Sequence, residues 1–489
     1  MPGNVNTSKH PPAGLRAAVT LGHKPRQLGN ANAVRGRCNY HLPRTPDKRP
    51  DMNHCRHATT PSRRDALLTL ASGAGLLLAG CGEGGDNKHQ SGNAQVRAIN
   101  LSSDIASADI YFNDDRKFAA LAADTLSGNQ SINDQEWTLR LKKAGDATTL
   151  LSSSLTLGKD KHYTAVIWGR ETAPRLATLP EDEVDSNIAS GASRLRVFNA
   201  ALETGLLDVY VTTPTSTADL AEMAPSIASV TAGQLSSFGN LFSGTFRLRV
   251  TGAGDPGDVR LDIAEFVLAE KKHATLLLTP GSGGVLVNGR TIQQQAASTA
   301  QKNTKARLRV VAGADGSGNV AVTVGTRTLA GGLRSPSVGP FQLVDAGDAL
   351  VAVRINGAVV SSTTRPLLAG ADYTLLTYGA GSVKLIPDDN RLPTLTSRVK
   401  LRLVHGVAGA EPLTLSVDYL ALANGLAVGE ASPYSTINAA SSARVDVTAA
   451  SAAAPVYTAA EVNLQSQAVY TVFVLGGNST PTGVIRKDR

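Results

Sequence analysis

The sequence predicts an all-β protein: four tandem Ig-like antiparallel β-sandwich domains that follow a disordered leader and a signal peptide. Three observations carry this. Apolar residues alternate with period two in short runs rich in β-branched and aromatic side chains, while 3.6-residue periodicity is rare. The opening of one such run recurs four times along the chain. Gly 47 and Pro 23 against 4% aromatics imply many turns and small side chains, as in sandwich proteins. The 489 residues leave room for several domains, and 42% hydrophobic content can supply each with a core.

Residues 1–51 are rich in Pro, Arg and Asn without periodicity and read as a disordered extension or an over-long start, with Met52 as the expected initiator. Residues 52–80 read as a signal peptide: a basic n-region, then an apolar run from Ala66 to Gly80. That run of about 15 residues is shorter than the ~20 a membrane-spanning helix needs, and suits a signal h-region. Its end, Leu78-Ala79-Gly80-Cys81, resembles a bacterial lipobox, whose cysteine carries lipid on its sulfur after cleavage just before it. One acyl chain gives marginal membrane binding, whereas two or more hold stably, at about 0.8 kcal/mol per buried CH₂. A buried helix ending in cysteine is the competing reading. The stretch Ser62-Arg63-Arg64-Asp65-Ala66-Leu67-Leu68 resembles a twin-arginine export motif through Arg63 and Arg64, although Ala66 stands where a large apolar residue is preferred. An ordinary basic n-region reads equally well, so the export route stays open. Gly82, where an Asp would resemble an inner-membrane retention signal, points to the outer membrane of a Gram-negative host. Residues 81–95, Gly-rich and polar, read as the lipidated cysteine and a flexible tether.

Taking the leader as removed changes the electrostatics. Residues 1–80 hold 12 Lys+Arg and three acids, a net of +9 against +8 for the whole chain, leaving −1 for residues 81–489. No nucleic-acid partner is therefore expected. Cys38 and Cys55 leave with the leader, and no cysteine follows Cys81, so no disulfide or thiolate metal cluster is expected within the mature chain.

The four repeats are assigned to residues 96–182, 193–292, 306–390 and 399–489. They open alike, as VRAINLSS from Val96, LRVFNAAL from Leu195, LRVVAGAD from Leu308 and LRLVHGVA from Leu401, with marker arginines Arg97, Arg196, Arg309 and Arg402. A second strand follows (ADIYFND, LDVYVTT, NVAVTVG, LTLSVDY), then one in mid-unit (EWTLRLKKAG, GTFRLRVTGAG, DALVAVRINGA, SARVDVTAAS). Each unit closes on another: KHYTAVIWG, KHATLLLTPG, DYTLLTYGAG and VYTVFVLGG. STADLAEMAPSIASV and LALANGLAVGEA could each hold a short helix or a loop. The polar joins LPEDEVDSNIASGAS, TIQQQAASTAQKNTK and IPDDNRLPTLTSR read as linkers permitting limited hinge motion.

The order Leu-Arg-Val-x-Asn/His, Asp-Val-Tyr, Gly-Thr-Phe-x-Leu-x-Val and Tyr-Thr-x-x-x-x-Gly resembles the bacterial domain-of-unknown-function family 4397, found in tandem on secreted lipoproteins. The second unit fits best, with Asp208-Val209-Tyr210, and the first keeps Asn100 and Asp109-Ile110-Tyr111. The third departs, with Ala312 in the Asn/His position, and the fourth keeps His405 but shifts its Asp418-Tyr419. The resemblance implies no established activity and no catalytic residues.

Four histidines follow Cys81. Of these, His89 lies in the tether, and His162, His273 and His405 read as strand-end or turn residues rather than metal ligands or bases. No zincin pattern or Gly-x-Ser-x-Gly elbow occurs there. Asp255, Asp258 and Asp262, and Asp388 with Asp389, could supply oxygen ligands for calcium but read better as solvated turns and linkers. The Gly-rich GADGSGN and PGSGGVLVNG lack the Walker lysine and read as hairpin turns. Trp137 and Trp168 read as packing residues.

The expectation is thus a lipid-anchored cell-envelope protein with no cofactor, no catalytic, cofactor-binding or metal residues, and a structural, adhesive or binding role. It would sit on the outer membrane through lipid on Cys81, facing periplasm or cell surface, with an unassigned protein or polysaccharide ligand. The alternatives are a scaffold or ligand-binding subunit for a periplasmic enzyme or polysaccharide, and a hydrolase with an unrecognised site.

Overall fold

The structure, a computed structural model, describes residues 92–183 and 188–489. The leader, and with it Arg63, Arg64, Leu78, Ala79, Gly80 and Cys81, lies outside the described residues. Those residues form one all-β unit in which strands make eight sheets, two per sandwich. Helix is confined there to three short 3₁₀ turns, Leu202–Thr204, Leu220–Glu222 and Asp315–Ser317, and no helix is long and apolar enough to cross a membrane. Of the two candidate helices in the sequence, the first holds the Leu220–Glu222 turn, capped by Asp219 on the N–H of Ala221 at 3.0 Å, and then the short strand Ile227–Val230. The second is the strand Leu420–Leu426.

Every domain repeats one plan. In the first, the opening strand Asn93–Asn100 lies in the middle of a sheet, beside the closing strand His162–Arg170, which is followed by a return strand Ala173–Pro180. The facing sheet holds Asp115–Ala122, Ser107–Phe112, Glu136–Lys143 and Thr149–Thr156 in that order. Pairing is antiparallel except between opening and closing strands, which run parallel in all four domains. The facing sheet lies between them in sequence, so the chain crosses the sandwich and comes back in the same direction.

Burial shows why these strands read as the most apolar in the sequence. Ala468–Gly476 is buried at every position, whereas the outer strand Thr149–Thr156 alternates. A strand covered on one face loses its period-two signature only if the other face is covered as well. The second cover is a neighbouring domain. Ile99, Val166, Trp168, Leu179, Phe198 and Leu277 form one cluster joining domains 1 and 2, and Val311, Leu376, Ile386, Val404, Phe473 and Leu475 form another joining domains 3 and 4. Each domain also keeps its own core between its sheets.

The family-like positions acquire physical meaning here. Asn199, fully buried, donates to Val230 O at 3.0 Å and accepts from the N–H of Ala201 at 3.0 Å, fastening the loop after the opening strand. Asn100 does the same with Ile105 O and Ser102 N. The first Asp of Asp-x-Tyr serves a bulge in the neighbouring strand: Asp109 accepts from Ala120 N and Asp208 from Ser229 N, both at 2.7 Å. Ala120 and Ser229 have φ of 47° and 53°, the left-handed conformation that a bulge requires.

The marker arginines build the seams. Each stands directly opposite a threonine across the parallel pair: Arg97 opposite Thr164, Arg196 opposite Thr275, Arg309 opposite Thr374, Arg402 opposite Thr471. Each donates Nε to that threonine's Oγ1, at 2.8 to 3.2 Å. Between domains 3 and 4 the rest of the contact is reciprocal. Arg309 reaches Asp488 of domain 4 and Arg402 reaches Asp388 of domain 3, while Thr374 and Thr471 donate to the aspartate of their own domain at 2.7 and 2.5 Å. Aromatic rings cover the guanidiniums, Phe341 at 4.4 Å from Arg309 and Tyr434 at 4.5 Å from Arg402.

Between domains 1 and 2 the reciprocity is broken. Gln294 stands where the other domains have Glu181, Asp388 and Asp488: like Glu181 and Asp488, it donates its N–H to the carbonyl of the residue two before the seam threonine, and Asp388 stands opposite the equivalent residue, Asp372. Glu181 pairs with Arg97 of its own domain at 2.7 Å, and Arg97 reaches across to Gln293 O at 3.0 Å. Arg196 is left with Pro180 O at 2.6 Å and the ring of Phe238 at 4.6 Å, and with no carboxylate among the described residues. Burial lowers its pKa.

The second and third joins are held rather than loose. TIQQQAASTAQKNTK supplies the end of Val287–Gln293 and the strand Ser298–Gln301, and Asn303 donates to Arg260 O at 2.7 Å. At the junction of domains 2 and 3, Gly283 N donates to Gly370 O at 2.7 Å, and a Cβ on Gly284 would stand 2.5 Å from Arg391 N. Asp388 is no solvated linker residue, as its sequence context suggested, but is 4% exposed within the seam, because a two-sided sheet needs an anion where its buried arginine emerges.

Two substitutions test the seams. Arg402→Met removes the close cation from the buried Asp388 carboxylate, leaving it Thr374 at 2.7 Å and Arg309 at 3.9 Å, and should lower unfolding stability in a denaturant titration by about 3 kcal/mol, with most of the loss recovered by adding Asp388→Leu. Gln294→Glu gives Arg196 its missing anion and should raise stability by about 1–2 kcal/mol, read as a higher thermal midpoint.

Candidate functional site

The residues singled out in the sequence as possible chemistry do not converge. His162, at the start of its closing strand, holds Asp182 at 2.7 Å through Nδ1, and Gln295 from domain 2 donates to the same carboxylate at 3.3 Å. His273 is buried edge-on to Phe238, with ring centroids 4.9 Å apart. His405 is fully buried, its Nε2 lies 3.2 Å from Glu411 O, and burial lowers its pKa. They occupy three different domains. Among the described residues no three His, Cys, Asp or Glu are placed to hold a metal ion.

The acidic positions are engaged separately. Asp255 accepts from Gly257 N at 3.2 Å, Asp258 pairs with Arg260 at 2.6 Å and Asp262 with Arg247 at 2.5 Å. Asp388 is absorbed by the seam. GADGSGN forms the 3₁₀ turn Asp315–Ser317, and part of PGSGGVLVNG packs on domain 3. Trp137 packs edge-on against Phe112, at 5.8 Å, and Trp168 is buried between domains 1 and 2 against Phe198, at 5.7 Å.

What the sequence did not signal is a polar groove of about 700 Å³ where domain 1, the join after domain 3 and domain 4 meet. Its side chains come from segments far apart in sequence: Arg170 at the end of a closing strand, Asp389 in the join, Arg398 and Lys400 on an opening strand, and Thr436. Lys400 alternates with the marker Arg402 and so shares its buried face. It is 8% exposed, donates Nζ to Asp389 O at 2.8 Å and Arg391 O at 3.0 Å, and lies 4.6 Å from the Tyr434 ring.

Charge in the groove is unbalanced. Arg170 is neutralised by Glu203. Asp389, however, is shared by Arg391 at 2.8 Å and Lys400 at 3.2 Å. The Arg398 guanidinium has no partner among the described residues, nor have the hydroxyls of Thr394 and Thr436. Three cations therefore face one carboxylate. The apolar part of the wall is Leu392, Pro393 and Leu395, the last 60% exposed. Such a surface can receive an anion and hydrogen-bond its neighbouring groups; it holds no nucleophile beside a base.

Asp389 makes the groove's charge sensitive to acid. Burial alone would raise its pKa, but the hydrogen bond from Arg391 and the charge of Lys400 prevail and bring it from 3.8 to about 2. A depressed folded value stabilises the protein above the unfolded pKa, and that contribution is lost as pH falls toward 2. Partial exposure screens it to roughly 1 kcal/mol. Acid titration of unfolding stability should show this loss between about pH 4 and 2, and Asp389→Asn should flatten that part of the curve.

Comparison with known proteins places the first and last domains. The family described as Domain of unknown function (DUF4397) matches residues 94–210 and 399–489. No curated protein matches. Among solved structures 12 chains match, including one titled "The Bacillus anthracis TIE protein", 10% identical over 75% of this chain, with a TM-score of 0.13. This chain spans 65% of that protein's length. Over those two segments the chain is similar to the DUF4397 family.

Proposed function

We propose that this protein is a cell-envelope lipoprotein, held on the outer membrane by lipid on Cys81 and facing periplasm or cell surface, with a non-catalytic structural, adhesive or binding role. The observation that carries this reading is Leu78-Ala79-Gly80-Cys81 at the end of a short apolar run, followed by a polar stretch. The domains support a non-catalytic role through the employment of their polar side chains. Arginines, threonines and acids are bonded into seams, asparagines into loops, and aspartates into bulges. A second reading, a ligand-binding or scaffold subunit for a polysaccharide or a periplasmic enzyme, is favoured by the cationic groove.

The anchor is tested directly. Cys81→Ser should abolish labelling by a fatty-acid analogue and move the protein from the membrane to the soluble fraction. Undiminished labelling and membrane retention would sink the proposal.

A further inference from the structure

We infer that the groove between domain 1, the join after domain 3 and domain 4 binds an oligosaccharide bearing carboxylate groups. This deepens the binding role proposed above and rests on it for its setting, although the interaction itself does not require the lipid.

The first argument is charge. Lys400 in the groove and Arg391 beside it share the single carboxylate of Asp389, and Arg398 has none among the described residues, so two positive charges are left uncompensated in a chain whose residues 81–489 sum to −1. Positive charge concentrated in a concave, partly apolar surface attracts anions more strongly than the same charge spread over a convex one. The second is geometry. Arg398 keeps its fork of N–H donors unspent, and a planar guanidinium matches a carboxylate through two parallel hydrogen bonds. Lys400 cannot play that part, because its ammonium is already held by two carbonyls and Asp389.

The third argument selects a sugar among anions. The hydroxyls of Thr394 and Thr436, each able both to donate and to accept, line the same groove and match ring hydroxyls, while Leu392, Pro393 and Leu395 offer apolar surface to the C–H face of a pyranose. At about 700 Å³ the groove falls within the range of small-ligand sites, and its open form admits a chain that continues beyond it. A nucleic acid would instead require stacking rings, and the one ring present, Tyr434, is occupied on its face by Lys400 and Arg402.

The test is calorimetric titration of the detergent-solubilised full chain with trigalacturonic acid, its methyl ester and inorganic phosphate. The acid should bind, the methyl ester should bind at least about tenfold more weakly, and phosphate more weakly still. Arg398→Gln should weaken binding of the acid by about tenfold or more, and Thr436→Val severalfold, with thermal midpoints unchanged because both groups are unpartnered. Equal affinity for acid and ester, an unaltered Arg398→Gln variant, phosphate binding as tight as the acid, or no binding at all would each overturn the proposal. Because the titration is done in detergent, its failure is separable from failure of the Cys81 anchor.

Discussion

The rest of the structure depends on an arginine placed on a strand that is covered on both faces. A guanidinium cannot stay there without hydrogen bonds to all its sides, since an unpaired buried charge is far more expensive than an unpaired dipole. The fold answers with a parallel neighbour that sets a threonine opposite each arginine, and with a second domain that brings a carboxylate or carbonyls to the far end. Each marker arginine thereby requires its domain to have a partner. The array consequently pairs as 1 with 2 and 3 with 4, and no marker face is left open.

Energy alone does not explain such clasps. A buried ion pair is often no more stabilising than an apolar pair of the same volume. Its effect is selective: Ile386 could slide against Val404 with little penalty, but Arg402 meets Asp388 in one register only. The apolar clusters supply the association, and the arginines fix the relative position of two domains. The polar side chains of each seam thus give an otherwise greasy contact a register, and Arg170 of domain 1 and Lys400 of domain 4 line one groove.

Legibility in the sequence follows the same division. Strand positions and the fourfold repeat were readable because alternation and the Leu-Arg-Val opening are local. The direction of the opening and closing strands was not, since a run such as VYTVFVLGG is apolar whether its neighbour runs parallel or antiparallel. The marker arginines were visible as a pattern, but their threonine partners lie 65 to 79 residues away and their partners across the seams 14 to 199, and only packing reveals them. Asp388 and Asp389 show the limit sharply. Adjacent in a stretch that reads as a polar linker, one is sealed into a seam and the other lines a groove, because backbone alternation sends their side chains to opposite environments.

The substitution of Gln294 for an acid makes the two seams unequal. Between domains 3 and 4 two guanidiniums face two carboxylates; between domains 1 and 2 they face one, and Arg196 relies on a carbonyl and an aromatic face. The first seam is therefore the one where electrostatic closure is incomplete, and its integrity falls more heavily on the Trp168 and Phe198 packing. The groove takes its walls from both halves of the array, Arg170 from the weaker pair and Arg398 and Lys400 from the stronger. Its Arg398–Lys400 strand thus belongs to the pair whose two clasps are complete, and its far wall to the pair that has one.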